Sequence, residues 1–219
     1  MPNMKKLVTN EDRLLETDDL YEAALEVIGK AAHDDSLRST VAASLCGITL
    51  EHGLSIRALL GLRQVTSAIV LLRAQFEATV RALWVHYAAS EGWVLSVTEL
   101  IDSSSLKEPS AVKMDEMLAA IRRTAPPPLE RMLRALKDGA WKPLNSYVHG
   151  GIHPITQQHL GYTDEYVSQT LRNANGLSMM AVMLLAMMSG DATSVEAIRQ
   201  LQLDHLDCLP PLAPEMASS

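Results

Sequence analysis

The sequence predicts an all-α protein, a single-domain antiparallel bundle of about seven helices. Apolar residues recur at steps of three and four along most of the chain, and no alternating β-type run of useful length appears. No internal repeat or shift in composition marks a second domain. A chain of 219 residues is long enough to bury a core without disulfides or metals.

Composition predicts a soluble protein of the cytoplasm. The chain is 47% hydrophobic and 21% charged, which is ordinary for a globular protein. Its two cysteines, Cys46 and Cys208, are far apart and fit a reducing compartment, with Cys46 expected as a small core residue. The N-terminus has no apolar run typical of a secretory signal, and residues 177–190 are too short to span a bilayer. No contact with a membrane is therefore expected.

The bundle is expected to occupy residues 16–205, between an N-terminal arm (residues 1–15) and a flexible C-terminal tail (residues 206–219). Its first helix is predicted to begin at a cap, Thr17 or Asp18. The apolar stripe of this helix contains Leu20, Ala24, Val27 and Ala31.

Two long segments are predicted to form a helical hairpin at the centre of the bundle. Few residues separate them around Gly61, so the two helices are expected to run antiparallel. The predicted stripe of the first consists of positions 37, 41, 45, 48, 52, 55 and 59, and that of the second of Val65, Ile69, Leu72, Phe76, Val80, Leu83 and Tyr87. His52 lies on the first stripe and is interpreted as a core histidine.

The remaining helices are placed by prolines, glycines and caps. Residues 103–110 are predicted as a loop, followed by a helix over 111–123 that ends at Pro126–Pro128. The next helix is predicted to close at Gly139, and a short one to begin at Pro143 and end at Gly150-Gly151. A loop to residue 162 then precedes a long helix, capped by Thr163 or Asp164, that runs to Met188. A last helix covers 192–203.

The stretch WKPLNSYVHGGIHP, residues 141–154, carries the densest set of polar groups. On a helix, Lys142, Asn145, Ser146 and His149 share one face, and the Gly pair would bring His153 back near its end. A neutral imidazole accepts a proton from a hydroxyl, and lysine and amide groups hold a phosphate or an oxyanion. These are ingredients of phosphodiester cleavage. The alternative, a hydrogen-bonded joint where a helix stops, is the more common arrangement.

A second polar group lies on the segment LLRAQFEATVRALW. Arg73, Glu77 and Arg81 are spaced by four and form a ladder of alternating charges beside the apolar stripe. Glu77 could orient Arg73 as a ligand for an anion. A salt bridge at the rim of the core explains the same spacing.

These two segments resemble those of the HEPN superfamily, helical nucleotide-binding domains, and in particular its bacterial branches related to abortive-infection proteins. The resemblance rests on LLRAQFEATVRALW in an early long helix and LNSYVHGGIHP after a later one. It implies a HEPN-like bundle, a homodimer with the active site at its interface, and a setting in phage defence or a toxin–antitoxin system. HEPN ribonucleases carry an Arg four to six residues before a His, and the residue right after the Arg is often polar.

His149 matches the family histidine and Asn145 the polar residue, but no arginine stands at the family position. Leu144, Pro143 and Lys142 occupy the three spacings at which it would occur, and lysine does not make the bidentate phosphate contact of arginine. The preferred hypothesis is therefore a module that binds a nucleotide, RNA or protein partner without cleaving it. The alternative is a metal-independent endoribonuclease with His149 as general base and Lys142, Asn145 or Arg73 on the phosphate. Glu77, Arg81, Ser146, Tyr147 and His153 complete the expected binding residues.

No metal site and no cofactor is predicted. His149, His153, His159 and Asp164 offer zinc ligands, but the first two are separated by Gly-Gly and match no strict zinc signature. Between Lys113 and Lys142 positive side chains outnumber negative ones by seven to four, which would suit a groove for RNA or two solvated helix faces. Residues 174–188 form a Met-rich stripe that suits flexible core or a dimer contact.

Overall fold

The computed structural model describes residues 9–29, 34–103 and 111–211, and these residues form helices and no strand. The all-α bundle is thereby confirmed, but the described residues contain nine α-helices, so the predicted number of seven is too low. The helices are α1 (Asn10–Gly29), α2 (Leu37–Gly61), α3 (Val65–Tyr87), α4 (Glu91–Ser103), α5 (Met114–Thr124), α6 (Pro127–Val148), α7 (Ile152–Leu160), α8 (Asp164–Met188) and α9 (Ala192–Asp204). A short 3₁₀ turn, Leu206–Cys208, follows α9.

Helices α2 and α3 form the predicted antiparallel hairpin at the centre, and α8 packs against both. The predicted stripe of α3 is confirmed, because all of its members are buried except the half-buried Tyr87. The predicted stripe of α2 is wrong by about one position: Ile48 is exposed and His52 only half-buried. The buried positions of α2 include Ala42, Cys46, Thr49, Gly53, Ile56 and Leu60. Small residues on every side of this helix leave little contrast between its faces.

A buried polar network joins α1, α2, α3 and α8. Gln75 is fully buried, and its amide nitrogen donates to the Thr49 carbonyl (3.2 Å), the Ala174 carbonyl (3.0 Å) and Ser178 Oγ (2.9 Å). The Tyr21 hydroxyl donates to the same Ser178 oxygen. Burial raises the pKa of the Tyr21 hydroxyl above its ordinary value. Because buried polar groups are costly unless paired, this network fixes the relative positions of the four helices.

Both ends of the described chain extend the bundle beyond residues 16 and 205. Helix α1 begins at Asn10, so neither Thr17 nor Asp18 is its cap, and Thr17 lies buried within the helix. Leu20 and Ala24 are buried as predicted, whereas Ala31 lies outside the described residues. At the other end, Cys208 and Leu209 are buried in a segment expected to be a flexible tail. Residues 212–219 of that tail also lie outside the described residues.

Helix α6 differs from its prediction. Pro126 separates α5 from α6, and Pro127 and Pro128 begin α6 as predicted, but α6 continues through Gly139 and Pro143 to Val148. Pro143 removes only the hydrogen bond to the Gly139 carbonyl, and the buried side chains Leu133 and Leu144 hold the helix on either side of it.

Two further helices were not predicted as such. Residues 152–160, predicted as a loop, form α7 because Pro154 falls in its first turn, where backbone N–H groups have no partner within the helix. Residues 91–103, left unassigned, form α4, and Ser103, predicted to open a loop, belongs to it; residues 104–110 of that loop lie outside the described residues.

Helix α8 is confirmed with Thr163 as its cap: the Thr163 hydroxyl accepts from the Tyr166 amide at 3.2 Å. By length and composition alone α8 could cross a membrane, with mean hydropathy 1.2. However, 67% of that stretch is buried inside the protein, which is the environment of a core helix. Helix α9 follows as predicted, capped by the Asp191 carboxylate.

Candidate functional site at the α6–α7 corner

The chain turns sharply between α6 and α7 at residues 149–151, the α6–α7 corner. His149 is the C-cap that follows Val148, the last residue of α6, and Gly150 adopts a positive φ of 62°, a conformation that disfavours any side chain. The Gly151 amide donates to the Ser146 carbonyl at 2.7 Å, as in a Schellman helix end. A Cβ at Gly151 would lie 2.5 Å from Ser146 Oγ, so both glycines are required by the turn.

Ser146 connects the two helices at this corner. Its hydroxyl accepts a hydrogen bond from the His153 amide at 3.1 Å, in the first turn of α7. Such a bond satisfies one of the amide groups that a helix leaves unpaired at its start. The polar residues at positions 146 and 153 are therefore explained in part by the joint itself, through the Ser146 hydroxyl and the His153 backbone.

Lys142, Asn145 and His149 lie on the outward side of α6, at successive turns. At 100° per residue they fall on the side of the helix away from the buried Leu144 and Tyr147. Lys142 and His149 are exposed, and the His149 imidazole makes no hydrogen bond with any residue of the described ranges. The predicted sharing of one helix face thus holds, and the helical joint uses the backbone rather than the side chain of His149.

Arg73 is engaged elsewhere. Its Nε and Nη2 donate to Glu77 Oε1 at 2.9 and 2.6 Å, and its guanidinium carbon lies 4.0 Å from the centroid of the Trp141 ring. The stacked pair attaches α3 to α6 through a cation–π contact. Trp141 precedes His149 by eight residues, about 12 Å along the helix axis. Arg73 therefore contacts α6 about two turns before His149, and no hydrogen bond joins Arg73 to His149.

Two of the seven positive side chains in the predicted basic stretch are paired with carboxylates. Lys137 pairs with Asp115, whose pKa this contact holds below its usual value, and Arg134 pairs with Glu130 at 2.5 Å. Arg122, Arg123 and Arg131 are exposed. Arg81, the last member of the charge ladder on α3, is exposed as well.

Tyr147 belongs to a cluster of aromatic hydroxyls beneath the corner. It is 4% exposed and lies beside Tyr162 and Tyr166, whose ring centroids are 5.7 Å apart. Burial raises the pKa of the Tyr147 hydroxyl, and the two neighbouring tyrosines raise it further. The Tyr162 hydroxyl is 2.8 Å from Thr66 Oγ1, which connects the start of α8 to the start of α3. Tyr147 thus supports the corner from inside.

Helix α7 is the helix with the least burial among the residues that the structure describes. None of its nine residues is buried, and its main contact is with α6. Ile152, Ile155 and Leu160, the α7 surface, are 67%, 61% and 73% exposed. An open cleft of about 570 Å³ separates α7 from the first turn of α3, lined by Thr66, Gly150, Pro154, Ile155, Gln158 and His159. Sequence reasoning missed this surface because the segment was predicted to be a loop.

A second concave region, the Met-rich groove, lies on the other side of α6. It consists of two adjoining cavities of about 450 Å³ each, which share Met132, Gly176, Met180 and Pro210. A Cβ at Gly176 would lie 2.7 Å from Pro210 Cγ, so the segment after α9 passes closely over α8. The Met-rich stripe of the sequence thus has both buried members and members that line this groove.

Comparison with known proteins identifies a family. The model of DUF6988, a family of unknown function, matches residues 46–211, from the middle of α2 to the end of the described chain. No curated protein and no solved structure matches the sequence.

Proposed function

This chain belongs to DUF6988, and we propose that it is a cytoplasmic helical interaction module that forms a homodimer through the α7 surface. The proposal retains the preferred hypothesis of a HEPN-like binding protein. Of the partners that this hypothesis allows, it selects another protein, namely a second copy of the same chain. A nucleotide or RNA bound at the α6–α7 corner is a further expectation of the HEPN resemblance.

The observation that supports the proposal is the exposure of α7. A nine-residue helix with no buried residue gains little from packing within its own chain, yet it presents two isoleucines and a leucine to solvent. Burying side chains of this kind contributes about 1.5–3 kcal/mol each. In a twofold contact the same patch is used by both copies, so every residue contributes twice.

The position of α7 connects this contact to the polar residues of the corner. His149 and His153 lie immediately before and within its first turn, and both side chains are exposed. A twofold contact through α7 would therefore bring two corners close to each other. Lys142, Asn145 and His149 of both copies would then surround one shared surface, the arrangement that the HEPN resemblance implies.

Self-association is tested by light scattering after size-exclusion chromatography, across a range of protein concentrations. The wild type is expected to elute as a dimer, and Ile155→Glu as a folded monomer, because a carboxylate in the contact is unpaired and desolvated. Leu15→Glu provides a matched control on α1, where the leucine is 64% exposed. A wild type that stays monomeric at all concentrations contradicts the proposal, as does dissociation by both variants.

The second candidate function is a metal-independent endoribonuclease. It is favoured by the His149 imidazole, exposed and free of hydrogen bonds to the described residues, in line with Lys142 and Asn145. The test is incubation with single-stranded RNA under chelator, with His149→Ala and the exposed His159→Ala as control. Cleavage lost only in His149→Ala supports this candidate. RNA bound but left intact by the wild type supports the non-catalytic binding module instead.

A further inference from the structure

Three potential metal ligands from opposite ends of the chain meet beside α1. The Glu16 carboxylate comes from α1, and His205 and Cys208 from the end of α9 and the 3₁₀ turn after it. One ligand atom of each residue lies within 4.8 Å of the other two. Cys208 is fully buried, and the other two are half-buried.

Local structure makes His205 and Cys208 a natural pair. They are three residues apart in a 3₁₀ turn, in which side chains at positions i and i+3 point the same way. The turn that contains both residues is held by Asn175 of α8. The Asn175 amide nitrogen donates to the Cys208 carbonyl at 2.9 Å and to Thr17 Oγ1 at 2.8 Å. The two ligands thus sit on backbone that is already fixed against α1.

The polar atoms of this cluster are poorly satisfied by the protein alone. His205 Nδ1 is buried and makes no hydrogen bond with the described residues, and Glu16 Oε1 lies 3.8 Å from it. Buried nitrogens of this kind are rare without a partner. The Cys208 thiol donates weakly to the His205 carbonyl at 3.4 Å and also lies beside the side chains of Thr17 and Asn175. An imidazole nitrogen, a thiol and a carboxylate therefore face one another with no strong bond between them.

We propose that Glu16, His205 and Cys208 bind one Zn²⁺ ion, through a carboxylate oxygen, Nδ1 and Sγ, with water in the fourth position. Zinc is the metal that accepts nitrogen, thiolate and carboxylate ligands together in a tetrahedral arrangement. Bonds of about 2.0–2.3 Å bring tetrahedral ligands to about 3.3–3.6 Å from one another, so ligand atoms that lie within 4.8 Å approach one another by up to about 1.5 Å. On binding, the Cys208 thiol releases its proton to solvent, and the charges of thiolate, carboxylate and metal cancel.

Zinc at this position would connect the two ends of the described chain. It would fix the turn that leads to Pro210, the residue shared by both halves of the Met-rich groove. The site therefore couples metal binding to the shape of that groove and to the stability of the bundle.

Zinc binding is measured by calorimetric titration of chelator-treated, full-length protein, and ligand identity by absorption of the Co²⁺ form. We expect one ion per chain, a thiolate-to-cobalt charge-transfer band, and affinity that rises about tenfold per pH unit, because one proton is released. Cys208→Ser should abolish the band and weaken zinc binding by about a hundredfold or more. Cys46→Ser, the matched change at the other buried cysteine, should alter neither.

Glu16→Gln and His205→Gln provide independent variants should Cys208→Ser fail to fold. Each keeps the size of the side chain approximately, removes one ligand, and is expected to weaken zinc binding at least about tenfold with the cobalt band retained or shifted. Unchanged zinc affinity in Glu16→Gln and His205→Gln overturns the proposal. A wild-type Co²⁺ form without a thiolate band overturns it equally.

Discussion

The α2–α3 and α6–α7 connections reverse the chain in similar ways and lead to opposite outcomes. Each is three residues long, residues 62–64 and 149–151, and each contains one residue of positive φ, Arg63 at 59° and Gly150 at 62°. Yet α3 buries more than half of its residues, whereas α7 buries none. Turn stereochemistry decides where a helix stops, and the side chains that follow decide whether the next helix enters the core. A helix such as α7, left outside, is available to a partner.

The largest expected effect compares equivalent truncations in the two following helices. Ile69 of α3 is 2% exposed and Ile155 of α7 is 61% exposed. Ile69→Ala should lower the free energy of unfolding by about 2–5 kcal/mol, and Ile155→Ala by under about 0.5 kcal/mol in the monomer. Urea unfolding at low protein concentration measures both. Equal losses would mean that α7 is packed as tightly as α3.

A close approach within the hairpin provides the next test. A Cβ at Gly53 would lie under 3.0 Å from Tyr21 Oη, Ser178 Oγ and Gln75 Nε2, whereas a Cβ at Gly47 of the same helix would meet nothing within 4 Å. Gly53→Ala is expected to destabilise the protein by about 1–3 kcal/mol through overpacking of the polar network. Gly47→Ala should stabilise it by roughly 0.5–1 kcal/mol, since alanine favours a helix. The two melting temperatures should move in opposite directions.

Reciprocal changes at the two positive-φ residues sharpen the comparison of the turns. Gly150→Ala places a side chain in the left-handed conformation and should cost about 1 kcal/mol, while Arg63→Gly relieves the same strain and should gain up to about 1 kcal/mol. Neither change touches the core, so the denaturant dependence of unfolding should stay constant. A gain from Gly150→Ala would show that strain does not set the geometry of the corner.

The smallest effect concerns His86, at the end of α3. Burial lowers the pKa of this imidazole below 6.5, and Arg38 lowers it further. The unfolded chain therefore binds the proton more tightly than the folded protein does. His86 leaves the free energy of unfolding unchanged above about pH 6.5 and lowers it as the pH falls below that value. His86→Gln should flatten the decline of stability as the pH falls below about 6.5. If the pH dependence of stability is the same in His86→Gln as in the wild type, other titratable groups cause the decline.

How far the sequence predicts this structure depends on contrast between helix faces. The stripe of α3 is predicted correctly because large apolar residues such as Leu72 and Phe76 alternate with charged ones. The predicted stripe of α2 differs from the buried positions by about one residue, because α2 carries small residues on all of its faces. Helix α7 is missed because Gly150-Gly151 and Pro154, signals of a loop, also fit a tight turn followed by the first turn of a helix.

The candidate site follows the same rule. Proximity along one helix is predictable, and Lys142, Asn145 and His149 do share one face of α6. Contacts between distant segments are not predictable from spacing: Arg73 stacks on Trp141, and Glu16 meets His205 and Cys208 across nearly the whole chain. The endoribonuclease hypothesis that uses Arg73 needs this side chain near His149, within one chain or across a dimer; in the structure Arg73 contacts Trp141, about two turns of α6 before His149.

Hydrogen–deuterium exchange at two protein concentrations tests most directly whether α7 is the surface of self-association. If two copies meet there, amides of residues 152–160 should exchange more slowly at the higher concentration, while those of the exposed face of α1 stay unchanged. Protection that appears elsewhere, or exchange in α7 that is independent of concentration, would contradict the account.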